Sequence, residues 1–229
     1  MASQADPDCG QRAMIEHIAG HLRRTARWTG CGALSPRVMA ALARVPRERF
    51  VPSDRMEAAH ADSALAIGHG QTISQPFIVA LMTELLDVSP DANVLEVGTG
   101  SGYQTAVLAR LTRHLCSVEI VPELAHAAAA RLAVLGLGGV ALRTGDGAQG
   151  WAERAPFDRI MVTAAAPHVP PALLDQLGPG GRMAIPIGPA FGAQSLRVLE
   201  KQADGAVTNE FVLDVTFVPL TNGEAVPAE

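Results

Sequence analysis

Apolar positions along the chain repeat first at helical spacing and then in short, nearly continuous runs. In residues 11–28, Met14, Ile15, Ile18 and Leu22 recur every three or four positions, which predicts an amphipathic helix. Ser35-Pro36 supplies an N-cap and first turn for a second helix through residue 43. Pro46 and Pro52 bracket an irregular connector. A polar, glycine-bearing loop over residues 66–76 then leads into a helix over 77–86, with Pro76 at its start.

From residue 94 the pattern alternates. Short apolar runs at 94–97, 115–120, 140–143, 160–164 and 182–187 read as strands. Helical segments are predicted at 103–111, at 122–135 with Gly136 as the stop, and from Pro170-Pro171 to just before Gly178, followed by a turn at Pro179-Gly180-Gly181. Such alternation predicts a parallel sheet with right-handed crossovers. Two β segments at 194–201 and 207–219, joined by a turn at Ala203-Asp204-Gly205, are expected to pair antiparallel at one edge.

The length of 229 residues suits one large α/β domain with an appendage and is too short for two ordinary enzyme domains. No apolar run reaches the ~20 residues needed to cross a bilayer. Residues 1–10 lack the basic and apolar regions of a signal peptide, so a cytoplasmic protein is expected. Cys9, Cys31 and Cys116 have no disulfide or metal-site spacing. His17 and His21 lie four apart on the first helix, but no third ligand follows in the pattern of a zinc site; a solvated face and no metal are expected. The net charge of −5 divides into +3 over residues 1–60 and −8 over the rest. A basic amino-terminal part could suit an acidic substrate, but ordinary solvated arginines are the default reading. With nine aromatics and no dense basic run, nucleic acid is not an expected partner.

The chemistry concentrates in Val94-Leu95-Glu96-Val97-Gly98-Thr99-Gly100-Ser101-Gly102-Tyr103, a strand running into a glycine turn and a helix. Glycines there permit positive φ and let a ligand approach the backbone. The spacing excludes the G-x-G-x-x-G of dinucleotide binders, because its last glycine falls on Tyr103. It also excludes a P-loop, which needs Gly-Lys-Ser/Thr, and a hydrolase elbow, which needs serine where Gly100 stands. Glu96 is unwelcome beside a pyrophosphate but suits a cation, such as a sulfonium that carries an amino acid. Glu119 follows Gly98 by 21 residues, the distance at which a strand-end carboxylate meets ribose hydroxyls in nucleotide-binding βαβ units. Asp146, between Gly145 and Gly147, fits either an adenine contact or a plain turn.

Glu96-Val97-Gly98-Thr99-Gly100-Ser101-Gly102 resembles the first motif of class I S-adenosyl-L-methionine (AdoMet) methyltransferases. Ahead of it, Gly70-Gln71-Thr72-Ile73-Ser74-Gln75-Pro76 resembles the substrate loop of the protein-L-isoaspartate (D-aspartate) O-methyltransferases. The likeness runs from about residue 46 to 221. It takes in Ser117-Val118-Glu119-Ile120, Gly145-Asp146-Gly147, Ala155-Pro156-Phe157-Asp158, Val162-Thr163-Ala164-Ala165-Ala166-Pro167, residues 176–182 and Phe217-Val218-Pro219-Leu220-Thr221. His60, where an aromatic is more usual, is one departure and leaves the fit of the substrate's flank open; a long polar amino terminus is the other.

This resemblance implies a Rossmann-like class I methyltransferase fold: a mostly parallel central sheet with helices on both faces, an antiparallel β tail at one edge and a helical N-terminal extension. Residues 1–76 would form the extension and substrate loop, and 77–229 the methyltransferase domain, as one compact unit. Ser74 takes the place of the family's active-site serine, although a serine two residues before a helix-starting proline also suits a cap. AdoMet would meet Gln71, Thr72, Ile73, Glu96, Gly98, Thr99, Gly100, Gly102, Tyr103, Gln104, Glu119, Ile120, Asp146 and Gly147. Substrate would meet Ile73, Ser74, Ala165, Val218 and Leu220, with residues 218–221 open to either backbone pairing or an edge-strand role. The implied partners are isoaspartyl-containing proteins and peptides, with no membrane and a monomeric enzyme.

The implied reaction methylates the free carboxylate of L-isoaspartyl residues and starts their repair through a succinimide. A same-fold methyltransferase dedicated to aspartyl esterification of one peptide is a rival, expected to carry an added recognition segment; only residues 222–229 follow the last motif. A cofactor-binding protein without catalysis is another.

Overall fold

The computed structural model describes residues 7–190 and 192–221. Residues 1–6, in the stretch expected to lack a signal peptide, and 222–229, the tail after the last motif, lie outside the described residues.

Helix α1 (Pro7–Thr29) buries Met14, Ile18 and Leu22, the positions its apolar spacing selects. In α2 (Pro36–Arg44) the Ser35 side chain accepts a hydrogen bond from Val38 N at 3.4 Å, the cap expected from its sequence. Short 3₁₀ turns at Arg47–Phe50 and Ser53–Ala58 occupy the connector. The loop expected at 66–76 is a hairpin instead: β1 (Leu65–Gly68) pairs antiparallel with β2 (Gln71–Ile73) through Leu65↔Ile73 and Ala66↔Thr72. Its strands are too short and too polar to show a period of two.

Next come α3 (Pro76–Leu86), β3 (Asn93–Val97), α4 (Tyr103–Ala109), β4 (His114–Glu119), α5 (Pro122–Val134) and β5 (Ala141–Thr144). The chain continues through β6 (Phe157–Val162), α6 (Pro171–Gln176), β7 (Leu177–Ile187), β8 (Gln194–Lys201) and β9 (Val207–Val215). Seven strands form one sheet in the order β5-β4-β3-β6-β7-β8-β9. Those from β5 to β7 run parallel, while β8 and β9 return antiparallel at the edge, as expected.

Two boundaries differ from expectation. The turn at 179–181 lies within β7: Leu177 pairs with Phe157 and Arg182 with Arg159, and an irregular register absorbs the glycines between. At the carboxyl end β9 stops at Val215, not 219, because Pro219 leaves the sheet edge to bridge Ala165.

Alternation along the strands builds a core on each face. Val94, Met161, Ala184 and Leu196 join the helices α1 to α4. Leu95, Val97, Ile160, Val162 and Met183 pack with Leu173 of α6 on the other. The amino-terminal helices therefore share a core with the sheet. Strand order reverses between β3 and β6, and ligands of open α/β sheets bind outside the carboxyl ends of the strands at such a point. No helix among the described residues is long and apolar enough to cross a membrane.

Candidate active site

At the end of β3 the chain turns on Gly98, whose φ is +93° and whose carbonyl accepts a hydrogen bond from Thr163 Oγ1 at 2.6 Å. A Cβ there would lie 2.3 Å from Thr163 Oγ1, so φ and space both demand glycine. At Gly147 space alone sets the limit, since a Cβ there would stand 2.4 Å from Val97 Cγ1.

These constraints keep open a cleft of about 730 Å³ over the carboxyl ends of β3, β4 and β6. Gln71, Thr72, Ile73 and Ser74 of the hairpin line one wall, and Gly98, Thr99, Gly100, Tyr103 and Gln104 form the turn opposite. Glu119, Ile120, Gly147, Val218 and Leu220 complete the lining, with Gly147 close to the Leu220 side chain. Serine hairpin and glycine turn thus face a single cavity.

Glu119 is 5% exposed. One carboxylate oxygen accepts from Gly100 N at 2.7 Å, the other from Val121 N at 2.9 Å. A carboxylate offers about four acceptor positions, so capacity remains for two hydroxyl donors.

The capping alternative for Ser74 does not hold. Gln75 is the N-cap of α3 and makes no side-chain cap, while Phe77 N donates to Asp62 Oδ1 at 2.9 Å. Among the described residues the Ser74 hydroxyl makes no hydrogen bond.

Four residues expected at the ligand do not line the cleft. Glu96 is fully buried beneath the turn, where its Oε2 accepts from Thr105 Oγ1 at 2.5 Å and Ser117 Oγ at 2.6 Å. The strand's pleat sends this side chain to a face of the sheet and not past its end. Gly102 lies behind the turn, packed against Ala128. Asp146 caps the short turn that follows it, accepting from Ala148 N at 2.9 Å. Ala165 is buried, and its main chain is occupied: its N–H donates to the Val218 carbonyl at 2.8 Å and its carbonyl accepts from Leu220 N at 2.7 Å. Val218 and Leu220 therefore offer the cleft their side chains, while their main-chain groups face Ala165. His60 lies away from the cleft, 3.2 Å from Glu48 and packed over Gly10.

Burial pushes the Glu96 pKa up to about 8, against the pull of its hydroxyl donors. The folded protein then holds a proton on Glu96 that the unfolded chain releases near pH 4.5. Stability contributed here falls as pH rises between those values, by roughly 1 kcal/mol per unit, and levels off above them. Glu96→Gln is expected to remove that slope, so between pH 5 and 8 its melting temperature should rise relative to that of the declining wild type; parallel curves would contradict it.

One further residue escaped the sequence reading. Arg47 is fully buried, donates from Nε to the Ala59 carbonyl at 2.9 Å and from Nη2 to the Ser74 carbonyl at 2.7 Å, and lies 4.8 Å from the Tyr103 ring centre. Burial lowers its pKa. It ties the serine hairpin to the first residue of α4. A lone arginine in a proline-bracketed connector carries no motif, so only the fold reveals it. Thr163 and Ala164, which also line the cleft, lay in a resembling block but not among the expected contacts.

Residues 22–225 match the family profile described as protein-L-isoaspartate(D-aspartate) O-methyltransferase. The chain is 54% identical over 219 residues to protein-L-isoaspartate O-methyltransferase 2 of Syntrophobacter fumaroxidans, covering 95% of this chain and 89% of that one. It is 59% identical over 191 residues to protein-L-isoaspartate O-methyltransferase 1 of an Anaeromyxobacter species, covering 83% and 90%. A solved protein-L-isoaspartate O-methyltransferase superposes with a TM-score of 0.78 at 27% identity, over 91% of this chain; the match spans 66% of that longer chain, just under two thirds. A Plasmodium falciparum structure described as a beta-aspartate methyltransferase in complex with S-adenosyl-L-homocysteine shares the fold, with a TM-score of 0.74 at 24% identity over 90% of this chain and 98% of that one. The sheet order, the shared cleft and these relatives agree: the chain belongs to the protein-L-isoaspartate(D-aspartate) O-methyltransferase family.

Proposed function

We propose that this protein transfers a methyl group from AdoMet to the free α-carboxylate of L-isoaspartyl residues in damaged proteins and peptides, and so starts their return to aspartate through a succinimide. The observation that carries this reading is the single cavity shared by Ser74 and the glycine turn. A vapour-diffusion assay should detect methanol from an isoaspartyl peptide incubated with enzyme and AdoMet, and none from its aspartyl counterpart. Methyl transfer to the aspartyl peptide alone would favour a same-fold methyltransferase dedicated to aspartyl esterification of one peptide, and AdoMet binding without transfer a cofactor-binding protein without catalysis.

The cleft fits AdoMet by its place over the carboxyl ends of the strands, by the spare acceptor capacity of Glu119 and by the absence of side chains at Gly98 and Gly147. Glu119 would hold the ribose hydroxyls, the backbone of residues 98–100 the amino-acid end, and Gly147 the adenine side. When bound, the cofactor supplies an electrophilic methyl on a sulfonium.

An α-carboxylate with a pKa of roughly 3–4 is already ionised at neutral pH, so no general base is required. Ser74 donates a hydrogen bond that aims the carboxylate, and the hairpin excludes water around it. Main-chain groups of Val218 and Leu220 are taken by Ala165, and alternate residues of an extended segment face opposite ways. A peptide would therefore pair with the Pro219 carbonyl. The enzyme acts as a monomer, and in the cytoplasm, in keeping with three free cysteines.

Arg47 acts as a positioning residue through the Ser74 carbonyl. Arg47→Met should lower kcat roughly tenfold or more while the KM for AdoMet stays nearly unchanged, and Arg47→Lys should restore part of the rate. Steady-state kinetics on folded variants checks this; an unchanged kcat in Arg47→Met removes the role.

A further inference from the structure

We propose that His17, His21 and Asp62 form a binding site for a borderline divalent cation of the zinc or nickel class, apart from the methyl-transfer cleft. Helix α1 places the two histidines four residues apart, hence on one face. Asp62 reaches them from the turn after the second 3₁₀ segment. Its Oδ2 lies 3.0 Å from His21 Nδ1 and 3.6 Å from His17 Nε2, and the three donor atoms all fall within 4.8 Å of one another. Metal bonds of about 2.0–2.2 Å set neighbouring ligand atoms roughly 3.0–3.6 Å apart, so two edges of a coordination polyhedron already have their length. The third closes by a small turn of His17, whose side chain is 58% exposed.

Both histidines lie within ion-pair distance of Asp62, but only His21 is hydrogen-bonded to it. His17 stands beside the same oxygen without forming a hydrogen bond to it. Two ligands are also braced as metal ligands usually are: Asp62 Oδ1 accepts from Phe77 N at 2.9 Å, and the His21 ring stacks on Phe77 at 3.7 Å between centres. Among the described residues this is the one group of three potential ligand side chains so close together.

Two imidazoles and a carboxylate suit zinc, nickel or copper more than magnesium or calcium. Three protein ligands leave coordination positions for water or a substrate group. His21 also lines a second cavity of about 1130 Å³ that shares Thr72 and Ser74 with the cleft. A cation held here clamps α1 to the start of α3, immediately after the serine hairpin.

Calorimetric titration of the full chain with zinc tests the site, with cobalt absorption reporting the ligand type. The expected result is one ion per chain, a nitrogen- and oxygen-type cobalt spectrum, and a melting temperature that rises with zinc. His17→Ala should weaken binding at least roughly tenfold with circular dichroism and zinc-free methyl transfer unchanged; His21→Ala should weaken it at least as much, and Cys9→Ser should leave it intact. Binding that survives both histidine variants, that vanishes with Cys9→Ser, or that never saturates up to millimolar zinc overturns the proposal.

Discussion

Ser74→Ala is expected to lower turnover on an isoaspartyl peptide by roughly 10²-fold while AdoMet affinity changes little, the scale seen when one preorganised donor is removed from a reacting oxygen. The separation follows from the geometry. Ser74 is not the cap of α3, since Gln75 holds that position and Asp62 receives the Phe77 N–H, so losing the hydroxyl leaves the helix start intact. Its carbonyl remains held by Arg47, which keeps the hairpin in place. Only aim is lost. Single-turnover rates at saturating AdoMet, beside a calorimetric titration of the cofactor, check both halves; full turnover in the variant removes Ser74 from the mechanism.

Glu119→Ala is expected to weaken AdoMet by about 1–3 kcal/mol, or roughly 5- to 150-fold in dissociation constant, for two lost hydrogen bonds. The truncation also leaves Gly100 N and Val121 N without their acceptor, so part of the loss comes from a looser turn. Glu119→Gln separates the contributions, because an amide oxygen still accepts from one of these groups. Its affinity should fall between wild type and Glu119→Ala, with a melting temperature closer to wild type. Unchanged cofactor affinity in Glu119→Ala would exclude the carboxylate from ribose binding.

Much of the fold was legible because its signals are local. Period-3.6 spacing marked α1, and Pro76 and Gly136 sit where the chain starts and stops helices. The alternation from residue 94 onward anticipated the parallel order, and the antiparallel edge followed from two β segments with a short turn between them. Polar strands of three and four residues hid the hairpin that presents Ser74. Glycines at 178–181 imitated a turn inside β7 because a bulge and a turn make the same demand on the backbone.

Three acids looked alike in sequence, each next to a glycine motif or at a strand end. The fold sent Glu96 under the turn and spent Asp146 as a cap, and only Glu119 lines the cleft. No spacing rule separates them, since the outcome depends on which neighbours fill each face.

By itself the sequence determined the elements, their alternation and the glycine turn, because hydrophobic period and backbone freedom act over a few residues. Tertiary structure alone decided which carboxylate faces the cleft, that Arg47 holds the serine hairpin from 27 residues away, and that Asp62 meets two histidines 41 and 45 positions earlier. Those contacts join side chains distant along the chain, and they exist only once packing has chosen which groups lose water together.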